Sequence, residues 1–178
     1  MRELQQILRP SSSRSLLLAL LLWGCGLGLA AAPGQPPQIP DERYQDLQGN
    51  WHNLREWQGK VVILNFWATW CAPCQYEIKD FVRYQASYGD AGLQIIGLGM
   101  DEARRLKNVK RSLEINYPVL QADPKNTREL LASWGNRRGT IPYSVIFDRQ
   151  GRVVRAHMGI IDDQLFGRLI LPLLEKGD

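Results

Sequence analysis

Cys71 and Cys74 stand three positions apart in Asn65-Phe66-Trp67-Ala68-Thr69-Trp70-Cys71-Ala72-Pro73-Cys74, where an apolar run gives way to a helical pattern. A sulfur at a helix N-terminus meets unpaired backbone N–H groups and the positive end of the helix dipole. Both favour thiolate over thiol, and the thiolate is the reactive form. Cys71 is therefore the expected nucleophile. Cys74, one turn inside the helix, is the thiol expected to resolve a mixed disulfide. That is dithiol–disulfide exchange. A CxxC pair is also half of a zinc site, but structural zinc takes four Cys or His ligands. The remaining candidates are Cys25, His52 and His157, and none forms a second paired motif. A purely structural staple is disfavoured, because small secreted folds that need staples carry several. No cofactor and no metal are expected.

Placing those sulfurs takes a strand and a helix. Val61 to Phe66 reads VVILNF, too apolar and β-branched for a loop, and fits a buried strand. The helix after it sets Ile78, Phe81, Val82 and Gln85 on one face and Gln75, Lys79, Asp80 and Arg83 on the other. Leu47 to Asn50 is a turn signal, and Asn53 to Trp57 a short helical turn. Beyond Gly89 to Gly92, Leu93 to Met100 reads as a second buried strand, and residues 102–115 as an exposed helix with Leu106, Val109 and Leu113 at helical spacing. Tyr117 to Gln121 is a short strand, and Asn126 N-caps a helix reaching Trp134. Tyr143 to Phe147 and Arg152 to His157 flank the turn Asp148-Arg149-Gln150-Gly151. Asp162 caps a last helix carrying Leu165, Leu169 and Leu173. The order β, α, β, α, β, α, β, β, α predicts an α/β fold: a mixed sheet with helices on both faces.

The chain of 178 residues, 44% of them hydrophobic, can bury one ordinary core. Beyond residue 32 it carries 19 basic and 17 acidic residues, too even a balance for tracking phosphates, so nucleic-acid binding is not expected. Arg104-Arg105 and Arg137-Arg138 read as solvated charges and not as ligand clamps. Residues 1–32 combine Arg9 and Arg14 with an uncharged, Leu-rich stretch from Leu16 to Ala32, the pattern of an export signal or membrane anchor. Three fates remain open. Leu22-Trp23-Gly24-Cys25 resembles a lipobox, which would lipidate Cys25. Cleavage near Ala30 to Ala32 would release the protein, and retention would anchor it. Each places the rest in the periplasm or on the extracytoplasmic face of a bacterial inner membrane, where disulfides persist. Residues 33–39 form a Pro/Gly tether, and 40–178 the folded domain.

Four phrases carry a resemblance across nearly all of that domain: GKVVILNFWATWCAPCQYE (59–77), LQIIGLGMD (93–101), YPVLQAD (117–123) and TIPYSVIFDRQGRVV (140–154). They resemble the TlpA/ResA/DsbE branch of exported thiol–disulfide oxidoreductases. The resemblance implies a thioredoxin-like fold, with the branch's insertion at roughly residues 102–122. It implies that Pro142 is the cis-proline beside the redox sulfurs, presenting backbone to an extended substrate, and that Glu77 is a carboxyl behind the active site, exchanging protons with the resolving sulfur. Asn65 stands where cytoplasmic thioredoxins keep a buried Asp, and an amide cannot exchange protons in that way. Trp70 is expected to shield the disulfide and shape the contact surface, with core packing as the alternative. Lys79 departs from the Pro that many relatives place there, and His52 and His157 match no catalytic position. The implied partners are a client disulfide protein, such as an apocytochrome c or a copper-assembly protein, and a transmembrane electron donor. A disulfide-forming oxidant and a thioredoxin-fold copper metallochaperone are the rival readings.

Overall fold

The computed structural model describes residues 38–175. The expected leader, Cys25 with its lipobox, and the tether as far as residue 37 lie outside the described residues. Among the described residues, no helix is long and apolar enough to cross a membrane.

Seven strands form one sheet: β1 (Arg43–Asp46), β2 (Trp51–Asn53), β3 (Val61–Trp67), β4 (Leu93–Gly99), β5 (Val119–Gln121), β6 (Tyr143–Phe147) and β7 (Val153–Met158), in the order β2-β1-β5-β4-β3-β6-β7. Strands β3, β4 and β5 run parallel, and the other pairings are antiparallel. The helices are α1 (Ala72–Tyr88), α2 (Ala103–Ser112), α3 (Thr127–Ser133), α4 (Asp163–Leu169) and α5 (Leu171–Glu175). Every residue of β3 and β4 is buried, as expected for central strands covered on both faces. Alternation along β3 sends Val61, Ile63 and Trp67 into one core with α1 and α4, and Val62, Leu64 and Phe66 into the other with α3. On α1 the anchors are Ile78, Phe81 and Tyr84, and burying an aliphatic or aromatic side chain of this size contributes about 1.5–3 kcal/mol.

Gln85 has a further use. Strand β5 covers β4 only from Gly97 to Gly99. Lower down, the Gln85 amide takes its place, accepting from Ile95 N–H (2.7 Å) and donating to the Leu93 carbonyl (3.3 Å).

Three expectations need correction. The N-terminal turn signal belongs to a full hairpin, β1 and β2, whose strands lack apolar alternation. It is held by pairing to β5 and by Asp46, which accepts from the backbone N–H groups of Gln48 and Asn50. Asn126 occupies the N-cap position of α3, but its side chain donates to Asp123 and caps nothing. The last helix is broken at Ile170: Pro172 has no N–H for the carbonyl of Arg168, so the chain restarts as α5.

The hairpin contains a titrating contact. His52 lies 2.9 Å from Glu56 and 3.3 Å from Asp46, and it stacks on Trp57. The bond to Glu56 raises its pKa most, Asp46 adds to that, and burial works against both. A raised histidine contributes stability that is fully present below the unfolded value of about 6.5 and is lost as pH rises through the folded value. Urea melts of the wild type should therefore show a small downward step in midpoint above about pH 6.5. His52→Gln should lack it, and identical profiles would show that the contact contributes nothing.

Candidate active site

Strand β3 ends at Trp67, and Ala68 to Trp70 lead into α1, so the redox pair stands at the C-terminal edge of the sheet. Cys71 is the N-cap of α1 in extended backbone (φ −88°, ψ 96°), and its Sγ accepts from the Cys74 N–H at 3.2 Å. Pro73, in the first turn, needs no hydrogen-bond partner for the N–H it lacks. The two sulfurs form a disulfide with Cα atoms 5.3 Å apart. Cys74 is fully enclosed, while Cys71 keeps 4% exposure. The sulfur nearer solvent is thus the one at the helix end.

The loop before Cys71 is tied on two sides. The Thr69 hydroxyl hydrogen-bonds the buried Asp101 carboxylate, and the Thr69 carbonyl accepts from Gln75 Nε2 at 2.8 Å. Asp101 also accepts from the Glu102 N–H at 2.7 Å, which joins the redox loop to the start of α2. Trp70 is 71% exposed, so core packing does not explain it, and its ring forms surface beside the disulfide. Tyr76 is 67% exposed, with the Lys79 ammonium 5.8 Å from its ring. Asp101 and Tyr76 were not singled out by the sequence. Only an apolar surface position for Tyr76 on the α1 helical wheel could have flagged it.

Behind the sulfurs, Glu77 is fully buried, not turned to solvent as a charged residue on a helix usually is. One carboxylate oxygen accepts from the Ile161 backbone N–H at 2.8 Å, and the other from Asn65 Nδ2 at 2.8 Å. The same Asn65 nitrogen donates to Ser144 Oγ at 3.0 Å, while Asn65 Oδ1 has no partner among the described residues. Burial drives the Glu77 pKa up to about 7. The two hydrogen bonds oppose that shift, and Asp80 adds to it. Glu77 lies three residues after Cys74 on the same buried side of α1, a spacing that makes side chains neighbours.

Pro142 is buried, follows a cis peptide bond from Ile141, and accepts at its carbonyl from the Gly159 N–H at 2.9 Å. The next residue, Tyr143, pairs with Phe66 on β3, so Pro142 lies at the sheet edge that carries the redox loop. Ile141 packs against the core cluster containing both cysteines. The structure thus gathers Cys71, Cys74, Glu77 and Asn65 on one helix–strand unit, with Pro142 at the same edge. His52 belongs to the hairpin contact described above, and His157 lies on the edge strand β7.

Comparison with known proteins agrees with this chemistry. The profile described as the AhpC/TSA family matches residues 37–156. The thiol-disulfide oxidoreductase ResA of a Bacillus cereus strain is 32% identical over 123 residues, 68% of each chain. ResA of Geobacillus thermodenitrificans is 29% identical over 156 residues, 82% of this chain and 86% of its own. Among solved structures, a thiol:disulfide interchange protein of the thioredoxin family from Chlorobium tepidum TLS has a TM-score of 0.69 at 28% identity, covering 80% of this chain and 99% of that one. The fold is thioredoxin-like, as the motifs imply.

Proposed function

Because the chain belongs to the AhpC/TSA family and is a thiol–disulfide oxidoreductase of the ResA type, we propose that it reduces disulfides of client proteins outside the cytoplasm. The Cys71 thiolate attacks a client disulfide and expels one client thiolate, which takes up a proton. Deprotonated Cys74 then attacks Cys71 in the mixed disulfide, closing the 71–74 bond and releasing the second client thiol. A transmembrane electron donor returns the dithiol. Glu77, neighbour to Cys74 and with a pKa of about 7, exchanges the proton that Cys74 must lose. The backbone around Pro142 receives the extended client segment. Apocytochrome c before haem attachment and a copper-centre assembly protein are the clients this reading favours. The leader of residues 1–32 supplies the extracytoplasmic address, lipid-anchored at Cys25, retained or cleaved, and a tether joins it to the domain. That tether is shorter than the expected 33–39, because Ile39 is buried in the core and its N–H donates to the Gly151 carbonyl at 2.7 Å.

The direction of transfer is carried by the buried Glu77 carboxyl. A nearby anion opposes the thiolate, so it disfavours the reduced pair and makes the protein a donor of electrons. The Ala72-Pro73 dipeptide, which contains no His, acts in the same sense. The deciding measurement is the midpoint potential of the Cys71–Cys74 couple. A value near thioredoxin's, about −270 mV, is expected, and one near about −120 mV would make the protein an oxidant.

A further inference from the structure

Helix α2 touches the redox edge at both of its ends. At its start, Asp101 holds Thr69, two residues before Cys71. At its end, Leu113 lines a groove with Ala72, Gln75, Tyr76 and Lys79 from the first two turns of α1. Both ends of the helix thus adjoin the segments that carry the disulfide. It is also the most basic segment of the described chain, with Arg104, Arg105, Lys107, Lys110 and Arg111 among its ten residues.

Outside α2 three arginines are paired with carboxylates, while others, such as Arg137, Arg138 and Arg155, make no ion pair among the described residues. What sets α2 apart is the number of cations on one helix beside the redox edge. Arg83 is neutralised by Asp80 and Asp163, Arg152 by Asp148, and Arg55 by Asp41. Among the described residues only Arg105 of α2 makes an ion pair, with Asp101 at 3.7 Å, although Glu102 at the N-cap and Glu114 beyond the C-cap flank the helix. Lys110 donates to a backbone carbonyl and Arg111 to the Asn108 amide, both uncharged. Arg104 and Lys107 make no ion pair among the described residues, and Lys107 is exposed. Helix stability accounts for Lys110 and Arg111, in the last turn, where the dipole favours cations, but not for Arg104, Arg105 and Lys107. The first turn contains no acidic residue, so Arg104 and Arg105 face the positive end of the dipole, and Lys107 repels Arg111 four residues on.

We propose that α2, together with Lys79, is a docking surface for an acidic face on the protein that exchanges its disulfide with Cys71. The inference rests on the thiol-exchange reading above, because it needs a protein partner at the redox edge. Trp70 and Tyr76 supply close apolar contact beside the sulfurs, and the unpaired cations supply attraction over about a Debye length, roughly 8–10 Å at moderate salt. An anionic bilayer lying on α2 would cover the edge that the partner must reach, which favours a protein over a membrane. The charges remain solvated in the free protein. They act by steering and not as clamps on a small ligand.

The test uses the full-length chain, reduced with dithiothreitol and desalted, and three synthetic peptides. Each peptide carries the same intramolecular disulfide, flanked by Glu, Lys or Ser residues. In every case two electrons and two protons pass from the Cys71–Cys74 dithiol to the peptide disulfide. At low salt the Glu-flanked peptide should react at least ~10-fold faster than the Lys-flanked one, the lower end of electrostatic steering. The ratio should collapse towards one at about 0.5 M NaCl, where the Debye length is about 4 Å. In the variant R104Q/R105Q/K107Q/R111Q, the ratio at low salt should fall to about a third of the wild-type value or less. Equal rates for Glu- and Lys-flanked peptides, with the Ser-flanked peptide still reduced, would overturn the docking surface and leave the redox reading standing. No reduction of the Ser-flanked peptide would sink the redox reading and the docking surface with it. Vesicles containing phosphatidylglycerol are the second probe: binding lost in the variant, without charge discrimination among the peptides, would assign α2 to a membrane instead.

Discussion

Cys71→Ser should abolish disulfide exchange, lowering the rate by at least about a thousandfold, the scale on which loss of a covalent nucleophile acts. The loss will be chemical and not structural. Serine is among the preferred N-cap residues, and its oxygen can accept from the Cys74 N–H that the Cys71 sulfur accepts from now. The protein should therefore melt close to the wild-type temperature while doing nothing. The partner variant behaves differently. Cys74 is fully enclosed, so a hydroxyl there would be buried without a designed partner, and Cys74→Ala is the cleaner replacement. It should attack clients normally and then stop, because no second thiol displaces Cys71. Non-reducing gels of extracts should show client adducts with Cys74→Ala, none with Cys71→Ser, and reversal by dithiothreitol. Adducts formed through Cys74 in the Cys71→Ser variant would reverse the two roles.

Glu77→Gln should make the protein slower and sturdier at once. Exchange should fall roughly 10- to 100-fold if the carboxyl moves the proton of Cys74, the lower range of general acid–base effects. The wild-type rate should bend near the Glu77 pKa of about 7, and the variant should lose that inflection. Stability runs the other way. The Glu77 pKa is raised in the folded state, so its contribution is fully present below the unfolded value of about 4.3 and is lost as pH rises through about 7. Gln carries no such penalty, and at about pH 8 the variant should be the more stable by up to about 4 kcal/mol. The site can take the amide. Turning Asn65 over would aim its partnerless Oδ1 at the new NH₂ group and at the Ser144 hydroxyl, while the remaining amide oxygen keeps the Ile161 N–H. Unchanged rate and unchanged pH dependence of stability would reduce Glu77 to a packing residue.

What could be read in the sequence followed from local pattern. Strands β3 and β4 announce themselves because both faces are covered, which leaves uninterrupted apolar runs. The redox helix is marked by its cap, its early Pro73 and the spacing of Ile78 and Phe81. The hairpin was illegible for the opposite reason: Arg43–Asp46 and Trp51–Asn53 lack apolar alternation, and they become strands because β1 pairs with the distant β5 and β2 pairs with β1. Asp101 reads as an ordinary acidic residue after a strand until the fold sets it beside Thr69. Glu77 alone looks like a helix glutamate. Only the family resemblance pointed inward, and only the structure supplies the cause, a pocket closed by Asn65 and by the backbone at Ile161.

That last contact sets an order of events during synthesis. Cys71, Cys74 and Glu77 leave the ribosome together, but the N–H that grips Glu77 belongs to a residue 84 positions later. At about 5–20 residues per second the wait is roughly 4–17 s. Through that interval the dithiol exists with its carboxyl in water, where a glutamate titrates near about 4.3 and cannot hold a proton at neutral pH. A nascent chain is thus a different redox reagent from the finished protein. The completed active site, tuned by burial, begins only when the loop after β7 has closed over it.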